Sequence, residues 1–357
     1  MASTPSDIRP VRPGEELPLV ALTEFLRKQL PEFSGELEVL QFPHGHSNLT
    51  YLLRSGQKQW VLRRPPFGNK VKSAHDMGRE YRVLSALSRV YPAAPRPLAA
   101  CEDEEVMGAP FYVMEYRSGL ILRREWPKSL PNDPQLLRRM CESLVDQLAE
   151  LHQVDVQQAG LGELGKPEGY VARQIQGWTK RYQDARTDEI PEIEEVAKWL
   201  AEQMPAESGA SLIHNDFKFD NVVFDPECPD RIVAILDWEM TTLGDPLMDL
   251  GTTLGYWAEA GEQEILGDSI VGPTILPGAL TRREVVARYA ERTGRQPASF
   301  NYYFIYGLFK IAVIVQQIYV RYVRGFTQDP RFAQLNDRVR RLAVQASRAI
   351  QAGPNSL

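Results

Sequence analysis

Apolar residues recur with two different periods along the chain. Positions 17–30 repeat at helical spacing and stop at Pro31. Three strand-length runs follow, at 37–42, 49–54 and 59–63, with Gly45 and Gly56 in the turns between them. The pattern predicts a helix over 73–90 with Ser73 as its N-cap, then two strands over 97–102 and 111–116. Beyond that point the helical period takes over. The segment 134–152 places Leu136, Leu137, Met140, Leu144, Leu148 and Leu151 on one face. Helices are also expected over 170–182, 193–204, 281–293, 300–324 and 330–351. The chain therefore reads as α+β, with an N-terminal antiparallel sheet and one main helix ahead of a mostly helical part. Residues 1–16 are rich in proline and charge and read as a loose arm.

Three short apolar runs interrupt the helical part, at 211–213, 220–224 and 231–236, and polar residues gather where they end. His214, Asp216, Lys218 and Asn221 fall in one loop, and Asp237 sits just past Ile-Val-Ala-Ile-Leu. His, Asp and Asn follow the H-x-D-x-x-x-x-N spacing of a phosphoryl-transfer loop. An Asp at the start of such a loop can orient an attacking hydroxyl and accept its proton. An Asn five residues later can turn back toward a metal. A second Asp at a strand end, here Asp237, can hold a Mg²⁺ whose remaining ligands are phosphate oxygens. Lys218 can neutralise the γ-phosphate, and His214 reads as a brace for the loop. One Asp or Asn in a loop is ordinarily a turn or cap residue; the ordered set bracketing strands is what points to chemistry.

The stretch H-N-D-F-K-F-D-N followed by L-D-W-E resembles the aminoglycoside phosphotransferase and choline kinase family, which has a two-lobed protein-kinase-like fold. The run L-D-W-E-M-T-T-L-G-D-P-L-M-D-L-G at 236–251 resembles the branch whose kinase-like domains adjoin acyl-CoA dehydrogenases. The resemblance extends from about residue 35 to about residue 330. It implies a nucleotide-binding lobe over 1–116, a catalytic and substrate lobe over 117–357, and ATP and Mg²⁺ as cofactors. The segment P-H-G-H-S-N-L-T-Y at 43–51 falls where the family covers the phosphates, so Ser47, Asn48 and backbone amides are expected to cradle them. Arg63 stands at the strand-three lysine position, with Glu80 as its ion-pair partner; the adjacent Arg64 leaves open which arginine points inward. Residues 114–119 form the expected hinge, where the backbone of Glu115 and Tyr116 meets the adenine. The resemblance makes Asp216 the acceptor base, Asn221 and Asp237 the Mg²⁺ ligands, and Asp249 a brace behind the loop. Asp245 with Pro246 starts that helix. Glu239 is left open between a metal or substrate role and a turn, and His152 reads as a packing or capping residue.

Two departures narrow the reading. There is no D-F-G and no A-P-E, and only a short segment separates Glu239 from the Asp245 helix. That weighs against a protein kinase and for a small-molecule kinase. A length of 357 residues suits two lobes, and 43% hydrophobic with 25% charged residues is an ordinary globular balance. The net charge of −6 argues against nucleic-acid binding. Cys101, Cys141 and Cys228 lack C-x-x-C spacing and read as reduced thiols in the cytoplasm. The N-terminus lacks the apolar core of a signal peptide. The most apolar segment, 302–323, is interrupted by Lys310, Gln316, Gln317 and Arg321 and reads as a buried helix, with no membrane span. The expected function is transfer of the ATP γ-phosphate to a small hydroxylated acceptor, a hydroxyacyl-CoA or hydroxy acid. Arg321, Arg324, Arg338, Arg340 and Arg341 are candidates for CoA phosphates. One alternative is an aminoglycoside phosphotransferase, whose polycationic substrate would meet the acidic run at 188–195. Another is a nucleotide-binding pseudokinase, favoured by the sparse glycine loop and by Arg63.

Overall fold

A computed structural model of the chain describes residues 8–43, 48–67, 76–266, 272–297, 299–327 and 330–354. Its elements run α1 (Leu19–Gln29), β1 (Glu38–Gln41), β2 (Leu49–Ser55), β3 (Lys58–Arg64), α2 (Met77–Leu87), β4 (Pro97–Cys101), α3 (Glu104–Met107) and β5 (Phe111–Glu115). There follow α4 (Pro134–His152), α5 (Tyr170–Ala185), α6 (Pro191–Glu202), β6 (Ser211–Ile213), β7 (Val222–Phe224), β8 (Ile232–Ile235) and β9 (Thr242–Gly244). The chain ends with α7 (Pro246–Tyr256), α8 (Gln263–Leu266), α9 (Arg282–Thr293), α10 (Asn301–Val323) and α11 (Leu335–Ala352). Two compact units result. One comprises Met1–Leu120, Val223–Pro226 and Val233–Glu239; the other comprises Ile121–Val222, Glu227–Ile232 and Met240–Leu357.

The first unit is built on a five-stranded antiparallel sheet of order β1-β2-β3-β5-β4. Side chains alternate between its faces. Tyr51, Leu53, Trp60, Leu62, Phe111 and Val113 form one core with Leu22 and Leu26 of α1. Residues of the opposite parity include Arg63, paired in register with Tyr112, and α2 lies against β4 and β5. Arg63 and Arg64 are therefore on opposite faces, yet both are buried, at 7% and 2% exposure. Arg64 donates to the carbonyls of Met107 (3.1 Å) and Pro65 (3.1 Å).

Two expectations are corrected here. The cap of α2 is Asp76, whose carboxylate accepts the Arg79 N–H at 2.8 Å; Ser73 lies outside the described residues. The described part of the N-terminal arm is tied down. Arg9 and Gln41 exchange backbone hydrogen bonds of 3.0 and 2.8 Å, and the Tyr51 hydroxyl donates to the Glu15 carbonyl at 2.8 Å. The cause is the position of β1 at the sheet edge, whose unpaired backbone groups seek partners.

The second unit is mainly helical. Within it β6 pairs antiparallel with β9. Helices α7 and α10 cross with almost no side chain between them: a Cβ on Gly307 would overlap the Gly251 carbonyl oxygen, and one on Gly255 would meet the backbone at Gly307. Only glycine permits that approach. It sets Lys310, one turn further along α10, against the site described below. Among the described residues one helix, Asn301–Val323, is long and apolar enough to cross a membrane, but 78% of its most apolar stretch is buried. It serves as a core helix of this unit.

Candidate active site

In the second unit, β6 delivers the chain into the loop 214–221. The backbone N–H groups of His214 and Asn215 donate to the two oxygens of Asp249, each at 2.7 Å. Asp249 comes from the first turn of α7, whose N-cap is Asp245. Behind it, His152 of α4 approaches Asp249 through Nε2 at 3.1 Å and the Tyr289 hydroxyl of α9 through Nδ1 at 2.7 Å. Burial pushes the Asp249 carboxyl up. Its hydrogen bond and charge interaction with His152, together with the loop amide of His214, outweigh that and hold it below its ordinary value. His214 also offers Nδ1 to the Asp216 N–H at 3.3 Å. The loop is thus held from behind by buried polar groups, and Asn215 takes the left-handed conformation at φ 69°. Asn tolerates that region better than most residues, and such outliers cluster at functional sites.

The same loop brings Asp216, Lys218 and Asn221 together. Lys218 Nζ lies 2.8 and 3.0 Å from the Asp216 carboxylate oxygens. Asn221 Nδ2 donates to the Asp216 backbone carbonyl (2.8 Å) and to its carboxylate (2.9 Å). The Asn221 NH₂ thereby faces Asp216, which leaves its Oδ1 as the metal-capable atom. The ammonium of Lys218 also sits 4.4 Å from the centre of the Tyr256 ring. Burial lowers the Lys218 pKa, but Tyr256 and Asp216 raise it further, so the net direction is up and the lysine is charged. The expected strand over 220–224 starts only at Val222, because 219–221 form a short 3₁₀ turn closed by the Asn221 N–H on the Lys218 carbonyl at 2.9 Å.

The first unit holds a separate polar cluster. The Ile235 N–H donates to the Ala93 carbonyl at 2.7 Å, and the Trp238 ring packs edge-on to Tyr91. These contacts fix the segment carrying Asp237 and Glu239. Arg63 then lies 3.0 Å from Asp237, 3.4 Å from Glu239 and 3.5 Å from Glu80. Asn48 Nδ2 donates to Glu239 at 2.7 Å, and Arg79 donates to the Glu239 carbonyl at 3.3 Å. Burial pulls the Arg63 pKa down, but Glu80 and the other acidic groups outweigh it and keep the guanidinium charged. Burial pushes the Glu80 carboxyl up; Arg63 opposes this and Asp237 adds to it. Three carboxylates share the Arg63 charge. Among the described residues no three His, Cys, Asp or Glu form a self-contained metal site. Asp237 itself is left-handed, at φ 69°.

The remaining expected residues are placed as follows. Ser47 lies outside the described residues. Glu115 accepts the Arg96 N–H at 2.7 Å and pairs with Arg117 at 2.7 Å, while Tyr116 is half-buried. Asn215, Tyr256, Tyr289, Arg79 and Lys310 were not singled out from the sequence as site residues. Lys310 had a signal, as a lone cation inside the most apolar run.

Residues 38–285 match the model of the phosphotransferase enzyme family. A solved protein from Ralstonia eutropha, provisionally named an aminoglycoside phosphotransferase, is 33% identical with a TM-score of 0.78, covering 94% of this chain and 99% of its own. The chain belongs to the phosphotransferase enzyme family. Acyl-CoA dehydrogenase family member 10 of Mus musculus is 37% identical over 321 residues, which are 89% of this chain but 30% of that protein. The chain thus spans about a third of that relative's length. A thermostable aminoglycoside phosphotransferase mutant, in complex with AMP-PNP and hygromycin B, has a TM-score of 0.58 over 93% of this chain and 100% of its own. At 16% identity it shares the fold alone.

Proposed function

We propose that this protein is a Mg²⁺-dependent kinase that transfers the ATP γ-phosphate to the hydroxyl of a small acidic acceptor, a hydroxy acid or hydroxyacyl-CoA. The observation that carries the reading is the Asp216 carboxylate, oriented by Lys218 and Asn221 in a loop braced by Asp249. Asp216 accepts the hydroxyl proton as the acceptor oxygen attacks the γ-phosphorus; the bond to the β–γ bridging oxygen breaks and ADP leaves. Lys218 balances charge on the transferred group. The first unit serves the nucleotide through Arg63, Asn48, Ser47 and the backbone at Glu115 and Tyr116, with Glu80 aligning Arg63. Asp237 and the Asn221 Oδ1 are the oxygens that would hold Mg²⁺, which when bound neutralises the phosphate oxygens.

Two features favour an acidic acceptor over an aminoglycoside. Among the described residues the buried Nε of Arg338 on α11 has no hydrogen-bond partner, and Arg338 interacts electrostatically with Tyr256, the neighbour of Lys218 and Asp216. The acidic run at 188–195 is partly neutralised by Arg186, which pairs with Glu194 at 3.1 Å and Glu189 at 3.5 Å, and Asp188 is engaged by a hydrogen bond from Asn336 at 3.0 Å. The similarity to an acyl-CoA dehydrogenase family member points the same way. An ADP-release assay over hydroxyacyl-CoAs with their free acids, aminoglycosides, and proteins tests this. Mg²⁺-dependent turnover is expected in the first panel; turnover confined to either other panel overturns the acceptor assignment.

The two adjacent arginines separate nucleotide binding from packing. Arg63→Ala is expected to weaken ATP binding by roughly 10–100-fold, the range of a lost charge-assisted contact. Arg64→Ala is expected to lower Tm and leave ATP affinity unchanged, because Arg64 bonds backbone carbonyls on the opposite face of the sheet. Calorimetric titration with ATP distinguishes them, and the reverse pattern would assign the nucleotide to Arg64.

A further inference from the structure

Every polar group of Asn215 is engaged. Its N–H donates to Asp249 at 2.7 Å and its Nδ2 to the Met240 carbonyl at 3.1 Å. Its Oδ1 accepts from the Tyr170 hydroxyl at 3.1 Å. Its carbonyl accepts from Lys310 Nζ at 2.7 Å, and the same ammonium reaches Oδ1 at 3.2 Å and the Thr252 hydroxyl at 3.4 Å. Lys310 is 0% exposed, and none of these partners is a carboxylate. A lysine so placed is costly to the fold, and an apolar residue of similar length would fill the helix crossing more cheaply. What an apolar residue cannot do is bind the carbonyl of a left-handed residue directly before Asp216.

We propose that Lys310 is a positioning residue: its ammonium locks Asn215 in the left-handed conformation and so aims the Asp216 carboxylate. The inference rests on Asp216 acting on the acceptor only for its effect on rate; the effect on the loop is independent of it. Burial lowers the Lys310 pKa to about 8. Asp249 on α7 and Asp216 in the loop favour its charge, Lys218 in the loop and Arg181 on α5 oppose it, and the Tyr170 hydroxyl and Trp178 ring of α5 complete its surroundings. As pH rises through about 8 the ammonium becomes a neutral amine, and its charge-assisted hold on Asn215 weakens to that of an ordinary hydrogen bond. Stability moves the other way. Between about 8 and the ordinary 10.5 the folded state binds fewer protons at this site than the unfolded chain, so its contribution to stability rises with pH. Loss of the Lys310 proton therefore loosens the loop without itself lowering stability.

The test is amide NMR of the full chain across the interval around pH 8. The Asn215 and Asp216 resonances are expected to titrate with a midpoint near 8 in the unaltered protein and to lose that titration in Lys310→Met. Flat resonances in the unaltered protein overturn the inference whether or not the variant folds, and so does a titration that persists in the variant. Should the phosphotransferase reading hold, folded Lys310→Met is also expected to lose ~10-fold or more in kcat with KM for ATP unchanged, the scale of a misplaced catalytic group. An unchanged kcat in that variant overturns the positioning role while leaving the reaction class standing.

Discussion

Asp237→Ala is expected to abolish Mg²⁺-dependent binding of ATP. Asp237 is the carboxylate at the end of β8, held beside Arg63 by backbone and ring contacts that do not involve its own side chain. Its removal leaves Glu80 and Glu239 with Arg63 and takes away the proposed metal ligand in the first unit. Alanine also fits poorly at φ 69°, a cost on the order of 1–2 kcal/mol that lowers stability independently of binding. Asp237→Asn separates the two effects, because asparagine accepts the left-handed conformation without the charge. Both variants are expected to lose the metal dependence, and only the alanine variant is expected to lose stability. Titration of Mg²⁺ and ATP into each variant measures this; unchanged affinity in both places the metal elsewhere.

Asp216→Asn is expected to lower kcat by at least ~10²-fold and up to ~10⁴-fold, the range of general acid–base catalysis. The substitution is nearly isosteric. Its carbonyl oxygen still accepts from Asn221 or Lys218, and the brace from Asp249 acts on the backbone of His214 and Asn215. Fold and ATP affinity should therefore stay close to those of the parent, so the loss falls on kcat. Steady-state kinetics beside a thermal melt provide the check, and equal turnover removes Asp216 from the chemistry.

The sheet and the long helices were legible because their apolar periods are long. The helix over 134–152 was read to the residue, and all five strands of the first unit lie within two residues of their expected ends. The missed elements were short. β9 is three residues, too few to show a period, and it exists because Ser211–Ile213 offers it a partner. The site was legible as residue types at fixed spacing in the loop and at 237. Of its supporting shell only Asp249 and His152 were read, as a brace and a packing residue; Lys310, which reaches the loop, and Tyr289, which reaches His152 behind Asp249, come from helices distant in sequence. Strand parity puts Arg63 and Arg64 on opposite faces and Arg63 beside Glu80, yet both side chains are buried, a point no alternation rule gives, because the sheet is covered on both faces.

The measurement that tests the account most directly follows γ-phosphate-labelled ATP with Mg²⁺ and the hydroxyacyl panel. The predicted result is label transferred to the small-molecule alcohol by the unaltered protein and not by Asp216→Asn, with both proteins binding Mg·ATP equally. Label transferred equally by both, or recovered only as ATP and free phosphate, would contradict it.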